Sequence, residues 1–414
     1  MEHREIENAP EADTPTVTPE TTFSPIVRLR VFILLGSMFI AIVGIAFVVP
    51  FLPVLASELG ATGVALGLIM AAFSISSSVT QPLAGYFSDK LGRKRFLALG
   101  MAIYSVGGFL YVTGSSVTDI VLVRFLQGIG GGLIFSVSMA YMGDLAPKGY
   151  EGRYMGIYNV VLFSGFGLGP IIGGVLKDLF GMNMPFYGMG ILSAIACVLV
   201  MLLLPESRAK VSQIEDRAPL TVFMAIIRQK RMQGVMVMRL AVTLSMVPSF
   251  VFLPVLMAEE MGSSGIQIGL AITVRTVVSA ALQYPFGWVA DHYNRVYITI
   301  ISVLGMAAVV SLIGLSTQFW HVVILFALLG INEALFLPAN TAMMLESGRS
   351  NGMGSTMGML NTTMTMGVFI GSLCAGLLVD AVGFKGAFLT VGAIVGLSLA
   401  VCVPLLTKTK HEAG

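Results

Sequence analysis

The chain has 414 residues, 56% of them apolar and 11% charged, with a mean hydropathy of +0.88. An ordinary soluble domain is about 25% charged, so these values exclude a soluble globular protein and point to a multi-span membrane protein. A net charge of +2 gives no footing for nucleic acid, and three cysteines inside apolar stretches (Cys197, Cys374 and Cys402) give none for a disulfide framework or a metal site.

Residues 1–27 are polar, with four prolines and six acids. They read as a disordered cytoplasmic tail and lack the short apolar core of a signal peptide. A helix needs about 20 apolar residues to cross the hydrocarbon core. Twelve such segments follow, near 29–56, 64–87, 95–115, 118–142, 154–177, 184–204, 232–258, 265–290, 296–316, 318–345, 353–377 and 384–406. All are expected to be helices, because in lipid the backbone must satisfy its own hydrogen bonds. With the N-terminus inside, 19 of the 24 Lys and Arg face the cytoplasm, three lie within spans, and only Lys177 and Lys385 face outward. This positive-inside bias places both termini in the cytoplasm.

A polar joint at 206–230 divides the spans six and six. Its second half, "PLTVFMAIIRQK", is either a short amphipathic surface helix or a plain linker. The expected organisation is therefore a 1–27 tail, a 28–205 six-helix bundle, the 206–230 linker, a 231–407 six-helix bundle and a 408–414 tail. The halves repeat at an offset of 202 residues. Gln81, Gly85, Asp89 and Arg93 meet Gln283, Gly287, Asp291 and Arg295, while Asn159, Gly169, Gly174 and Asp178 meet Asn361, Gly371, Gly376 and Asp380. A parallel duplication of this kind is a transporter architecture.

The loop after span 2 reads "GYFSDKLGRKRFL" at 85–97. It resembles the signature of the major facilitator superfamily, with Gly85, Asp89, Gly92, Arg93 and Lys94 in place. The copy at 287–297 keeps Gly287, Asp291 and Arg295 and loses the basic run. The resemblance covers residues 28–406. It implies an all-α membrane fold of two pseudo-symmetric six-helix bundles, in which spans 1, 4, 7 and 10 line a central cavity and the loop forms a cytoplasmic gate. "RFLQGIGGG" at 124–132 resembles the fourth-helix motif of proton-coupled members, which gives Arg124 a coupling role. "GFGLGPIIGG" at 165–174 resembles the fifth-helix antiporter motif of drug/proton exporters.

That last stretch also has a physical reading. Gly165, Gly169 and Gly173 form one smooth stripe where another helix can pack closely. Pro170 removes a backbone donor and permits a bend, and Gly174 completes the motif. Such a helix suits a seam between halves that rock.

Ionisable groups inside spans are costly and mark function. They are Arg124, Arg239, Arg275 and Glu333, on spans 4, 7, 8 and 10. Burial disfavours a charged carboxylate, so the lone deep acid Glu333 is either the coupling-proton carrier or a structural partner of Arg275 or Arg239. Gln127, Asn159, Asn332, Asn340 and Asn361 join Arg239 and Arg275 as candidate cavity contacts. Span 1 has no acid, which counts against cationic drugs. Methionines crowd spans 7 and 11, where flexible thioethers suit varied apolar ligands.

No zinc-protease motif, nucleophile elbow or phosphate loop is present, so no enzyme, metal or cofactor is expected. The reading is a monomeric, proton-coupled exporter of a small lipophilic compound in the cell membrane, expected to be a prokaryotic cytoplasmic membrane. Its partners would be the substrate, protons and the bilayer. The alternative is a carrier of an organic anion or metabolite.

Overall fold

The structure, a computed structural model, describes residues 25–146, 151–206, 228–351 and 353–407, with side chains omitted at 89, 151–153, 345–351 and 353–362. The expected N-terminal tail up to residue 24, the 207–227 part of the linker with its proposed surface helix, and the tail from 408 lie outside the described residues.

Within them the secondary structure is helical. The first half contributes α1 (Pro25–Val48), α2 (Leu52–Glu58), α3 (Gly63–Leu91), α4 (Arg93–Thr113), α5 (Val117–Leu145), α6 (Glu151–Phe180) and α7 (Met184–Leu203). The second contributes α8 (Lys230–Glu259), α9 (Gly265–His292), α10 (Arg295–Ile313), α11 (Phe319–Asn351) and α12 (Met353–Thr407). Eleven stretches among the described residues are long and apolar enough to cross a membrane.

Two local features separate these elements from the expected segments. The first segment breaks around Pro50 into α1 and α2, because proline supplies no backbone donor. The last two segments run together as α12, interrupted at Gly383 with φ 73° and ψ 173°. Only glycine enters that backbone region without strain. The interruption falls one residue before the start expected for the last segment.

The helices pack in two groups. In the first half α3 pairs with α5, α4 with α5 and α7, and α1 with α6 and α7. In the second, α8 and α10 pack on α12, and α11 packs on α9 and α10. Two long seams join the groups, α6 against α9 and α3 against α12. The 202-residue repeat maps one seam onto the other.

The glycine stripe of α6 meets a neighbour that periodicity alone did not identify. A Cβ at Gly165 would lie 2.7 Å from Ile42 Cγ2, one at Gly169 would collide with Ala46, and one at Gly173 would lie 2.5 Å from the Phe47 carbonyl oxygen. The stripe therefore joins α6 to α1 of its own half, which corrects its assignment to the rocking seam. Gly167, Pro170 and Gly174, on the adjoining face, supply the seam instead. We expect Gly169→Val to force α6 away from α1 and to cost about 1–3 kcal/mol, the usual range for overpacking. A melting temperature equal to that of the parent in detergent would show that α1 and α6 yield at no cost.

Candidate functional site

Among the described residues, the second half buries an ion pair between Arg275 and Glu333. Arg275 of α9 and Glu333 of α11 are 1% and 6% exposed. Arg275 Nε donates to Glu333 Oε2 at 3.1 Å, and Nη2 donates to Oε1. The guanidinium also lies 4.4 Å from the Phe250 ring centroid and 5.6 Å from that of Phe326. Gly330 permits this reach, since a Cβ there would sit 2.5 Å from the Arg275 carbonyl oxygen. The guanidinium thus lies against aromatic rings and both partners are buried, where an unpaired charge is costly. Of the two roles open to Glu333, a partnership with Arg275 is the contact present in this state.

The first half holds the mirror of this arrangement, with one part missing. Arg124 of α5 stacks 4.7 Å from the Phe73 ring centroid of α3. Positions 73 and 275, 124 and 326, and 131 and 333 are each 202 apart. The arginine and phenylalanine have therefore exchanged helices between the halves, and Gly131 stands where the second half has Glu333. Arg124 instead donates to Gln127 Oε1 at 3.2 Å and to the Met70 sulfur at 3.4 Å. Tyr111 donates to the same Gln127 oxygen at 2.8 Å. Among the described residues no carboxylate reaches Arg124 or Arg239. Arg239 is 7% exposed and, among the described residues, donates only to the Met364 sulfur, at 3.9 Å.

Several expected cavity contacts are placed elsewhere. Gln127 is fully buried against Tyr111 and Arg124. Asn340 is fully buried and donates to the Val235 carbonyl of α8 at 3.3 Å. Asn332 donates to Leu328 O and packs on Gly305 of α10. Asn159 is exposed on α6. The Asn361 side chain lies outside the described residues. Gln127, Asn332 and Asn340 thus each donate to a neighbour within the bundle.

The loop signature is also rearranged. Arg93 pairs with Asp144 at the end of α5, with Nη2 3.2 Å from Oδ1. The Asp89 side chain lies outside the described residues. Gly92 adopts φ 97° between α3 and α4, and a side chain there would overlap Glu206. Glu206 accepts the Lys94 backbone N–H at 2.9 Å and caps α4. In the second copy Arg295 Nη2 lies 3.4 Å from Asp291 and its Nε donates to Ala290 O. A Cβ at Gly85 or Gly287 would meet nothing within 4 Å, so neither glycine marks a close helix approach in this state.

At the other end of the same helices the halves touch. Gly174 packs on Gly265 and Gly376 on Gly63; Pro170 packs on Gly269 and Ser372 on Gly67. Thr273 donates to Gly167 O across the α6–α9 seam at 2.7 Å. The bundle is closed at one mouth, with open space around Gly85 and Gly287 at the opposite ends of α3 and α9.

This architecture has known counterparts. The profile of the Major Facilitator Superfamily matches residues 34–255 and again 235–414. The chain belongs to the Major Facilitator Superfamily. Quinolone resistance protein NorA of Staphylococcus aureus is 28% identical over 388 residues, covering 93% of this chain and 97% of NorA. An uncharacterized transporter of the superfamily from Methanocaldococcus jannaschii is 27% identical over 362 residues, covering 87% and 93%. Among solved structures, a bacterial homolog of the human lysosomal transporter Spinster, inward-facing and unoccupied, superposes with a TM-score of 0.75 at 14% identity, covering 93% of this chain and 92% of that one. The human organic anion transporter MFSD10 superposes at 0.62 with 20% identity, covering 92% and 100%. As a superfamily member with NorA-like relatives, the protein is a multi-pass membrane transporter that resembles the drug/proton antiporters, and its family and relatives are transporters, not enzymes.

Proposed function

We propose that the protein is a proton-coupled exporter of a small lipophilic compound, working by alternating access. In this reading α1 and α2 together make one crossing and α12 makes two, giving twelve. Both termini lie in the cytoplasm, as the distribution of Lys and Arg favours. The closed mouth at Gly63, Gly174, Gly265 and Gly376 is then the outer one, and the chain works as a monomer in the cell membrane.

The observation that carries the coupling is the buried Arg275–Glu333 pair. A proton arriving on Glu333 cancels its charge and dissolves the pair, and the loss of the proton restores it. The two states differ in how α9 and α11 are held together, and α9 is also a seam helix. Protonation is thereby tied to a helix that must move when the mouths exchange. Relatedness to a quinolone resistance protein supports a lipophilic cargo.

One observation favours a second reading. Arg124 and Arg239 carry charge with no carboxylate partner among the described residues, an arrangement that suits an organic anion. Proteoliposomes with and without an imposed pH gradient separate the two. Gradient-driven movement of a quinolone is expected from the first. Movement of an organic anion that ignores the proton gradient would replace it with the second.

The cytoplasmic gate is tested separately. Asp89→Asn is expected to cut transport by an order of magnitude or more while membrane insertion is unchanged. Parental transport rates in that variant would remove Asp89 from the gate.

A further inference from the structure

We infer that Asp178 and Asp380 are paired cross-half latches that hold the closed mouth shut. Asp178, at the end of α6, accepts the first two backbone N–H groups of α9 in the opposite half. Gly265 N lies 2.7 Å from Oδ1 and Ile266 N 2.8 Å from Oδ2. Asp380, on α12, does the same for α3 of the first half, with Gly63 N at 2.6 Å and Val64 N at 2.9 Å. Donors and acceptors all obey the 202-residue offset, so the same device occurs twice about the pseudo-twofold axis.

Three features make this more than ordinary capping. The first N–H groups of a helix have no partner within it, and the helix dipole favours an anion there. Each of these two helices already has a cap from its own half: Thr62 accepts from Ala65 N and Ser264 from Gln267 N. The aspartates take the donors that remain. The donors also sit where only glycine fits. A Cβ at Gly63 would lie 2.6 Å from Gly376 O and 2.7 Å from Asp380 Oδ1, and one at Gly265 would lie 2.8 Å from Asp178 Oδ1. Lastly, both carboxylates and both helix ends lie at the seams that part when this mouth opens. A second contact joins the same rim, where Ser57 donates to Glu259, also across the halves.

Opening the mouth exchanges four charge-assisted hydrogen bonds for contacts with water. Asp178 and Asp380 therefore bias the protein toward the state closed on this side, and their removal shifts the balance toward the opposite state. The inference rests on the alternating-access reading above, but its test needs neither a substrate nor a proton gradient.

Spin labels at Ser115→Cys and Thr317→Cys, both exposed beyond the ends of α4 and α10, report the width of this mouth. They are introduced with Cys197, Cys374 and Cys402 replaced. Pulsed dipolar measurements on the full chain should show one short distance in the parent. Asp178→Ala and Asp380→Ala should each raise the ratio of open to closed mouth roughly tenfold, and the double variant by more than either, given the usual worth of hydrogen bonds to charged groups. Ser264→Ala frays the same end of α9 without touching the other half and should leave the ratio unchanged. Should the double variant fail to fold, the single variants carry the test. Distances unchanged in folded single variants, or a shift of equal size in Ser264→Ala, would overturn the latch. Such a failure would leave the proton-coupled reading standing, because that reading is judged by transport.

Discussion

Arg275→Met is expected to lower stability by about 3–5 kcal/mol, the cost of leaving one partner of a buried ion pair alone. The residue left behind is Glu333, 6% exposed, on a helix face that α9 covers. No second cation among the described residues reaches it, so the carboxylate must either take up a proton or be stranded. Arg275→Lys keeps the charge but loses the planar fork that bonds Oε1 and Oε2 together, and it should recover only part of the loss. The double variant Arg275→Met with Glu333→Leu removes both charges and replaces them with apolar side chains. Replacements of this kind are often neutral or stabilising, so the double variant should melt near the parent and yet fail to couple transport to protons. Thermal unfolding in detergent reads the first effect and gradient-driven transport in proteoliposomes reads the second. A single variant as stable as the parent would mean that the pair is easily rehydrated, and would weaken the claim that it holds α9 to α11.

The repeat was legible in the sequence because identities at a constant offset survive without any knowledge of the fold. Asp178 and Asp380 were among those identities. Their task was not legible, because each acts on a backbone donor more than 80 positions away and a backbone donor carries no sequence signature. The glycine stripe failed in a different way. Periodicity fixes which residues share a face of α6, and it correctly grouped Gly165, Gly169 and Gly173. It says nothing about which helix that face meets, and the face meets α1. The polar residues of the spans were read as cavity contacts because unpaired polar groups in lipid are costly. Gln127 finds partners inside its bundle in Tyr111 and Arg124, and the Asn340 amide N–H finds one in the Val235 carbonyl, while Asn340 Oδ1 is buried with no hydrogen-bond partner among the described residues. The arginine-phenylalanine exchange at 73, 124, 275 and 326 was invisible to a search for identities, since it keeps the chemistry of the pair while changing the residue at every position. A search for exchanged pairs at the repeat offset would have found it, and would have drawn attention to Gly131 opposite Glu333.

Glu333→Gln is expected to abolish transport driven by the proton gradient while leaving substrate binding in place. Glutamine has the shape of a permanently protonated glutamate, so the variant is held in the state that follows proton arrival. Its side-chain oxygen can still accept from Arg275, which makes the structural cost smaller than that of Arg275→Met. The charge that drew the guanidinium is gone, however, and with it the difference between two protonation states. Exchange of substrate down its own gradient needs only that the mouths alternate, so it should persist and become insensitive to pH. The contrast between lost uphill transport and retained downhill exchange separates a proton carrier from a structural partner. A structural partner would lose stability and both kinds of transport together. The first half sharpens the test, because the position equivalent to Glu333 is Gly131, packed against Phe73, and it offers no acid to take over. The remaining acids of α5 are already engaged, Asp119 in a capping box with Ser116 and Asp144 with Arg93. A stable Glu333→Gln protein that still concentrates its substrate against a gradient at the expense of protons would end the carrier role of Glu333. Coupling would then have to pass through Asp144 or Asp119, and Asp144→Asn would be the next variant to measure.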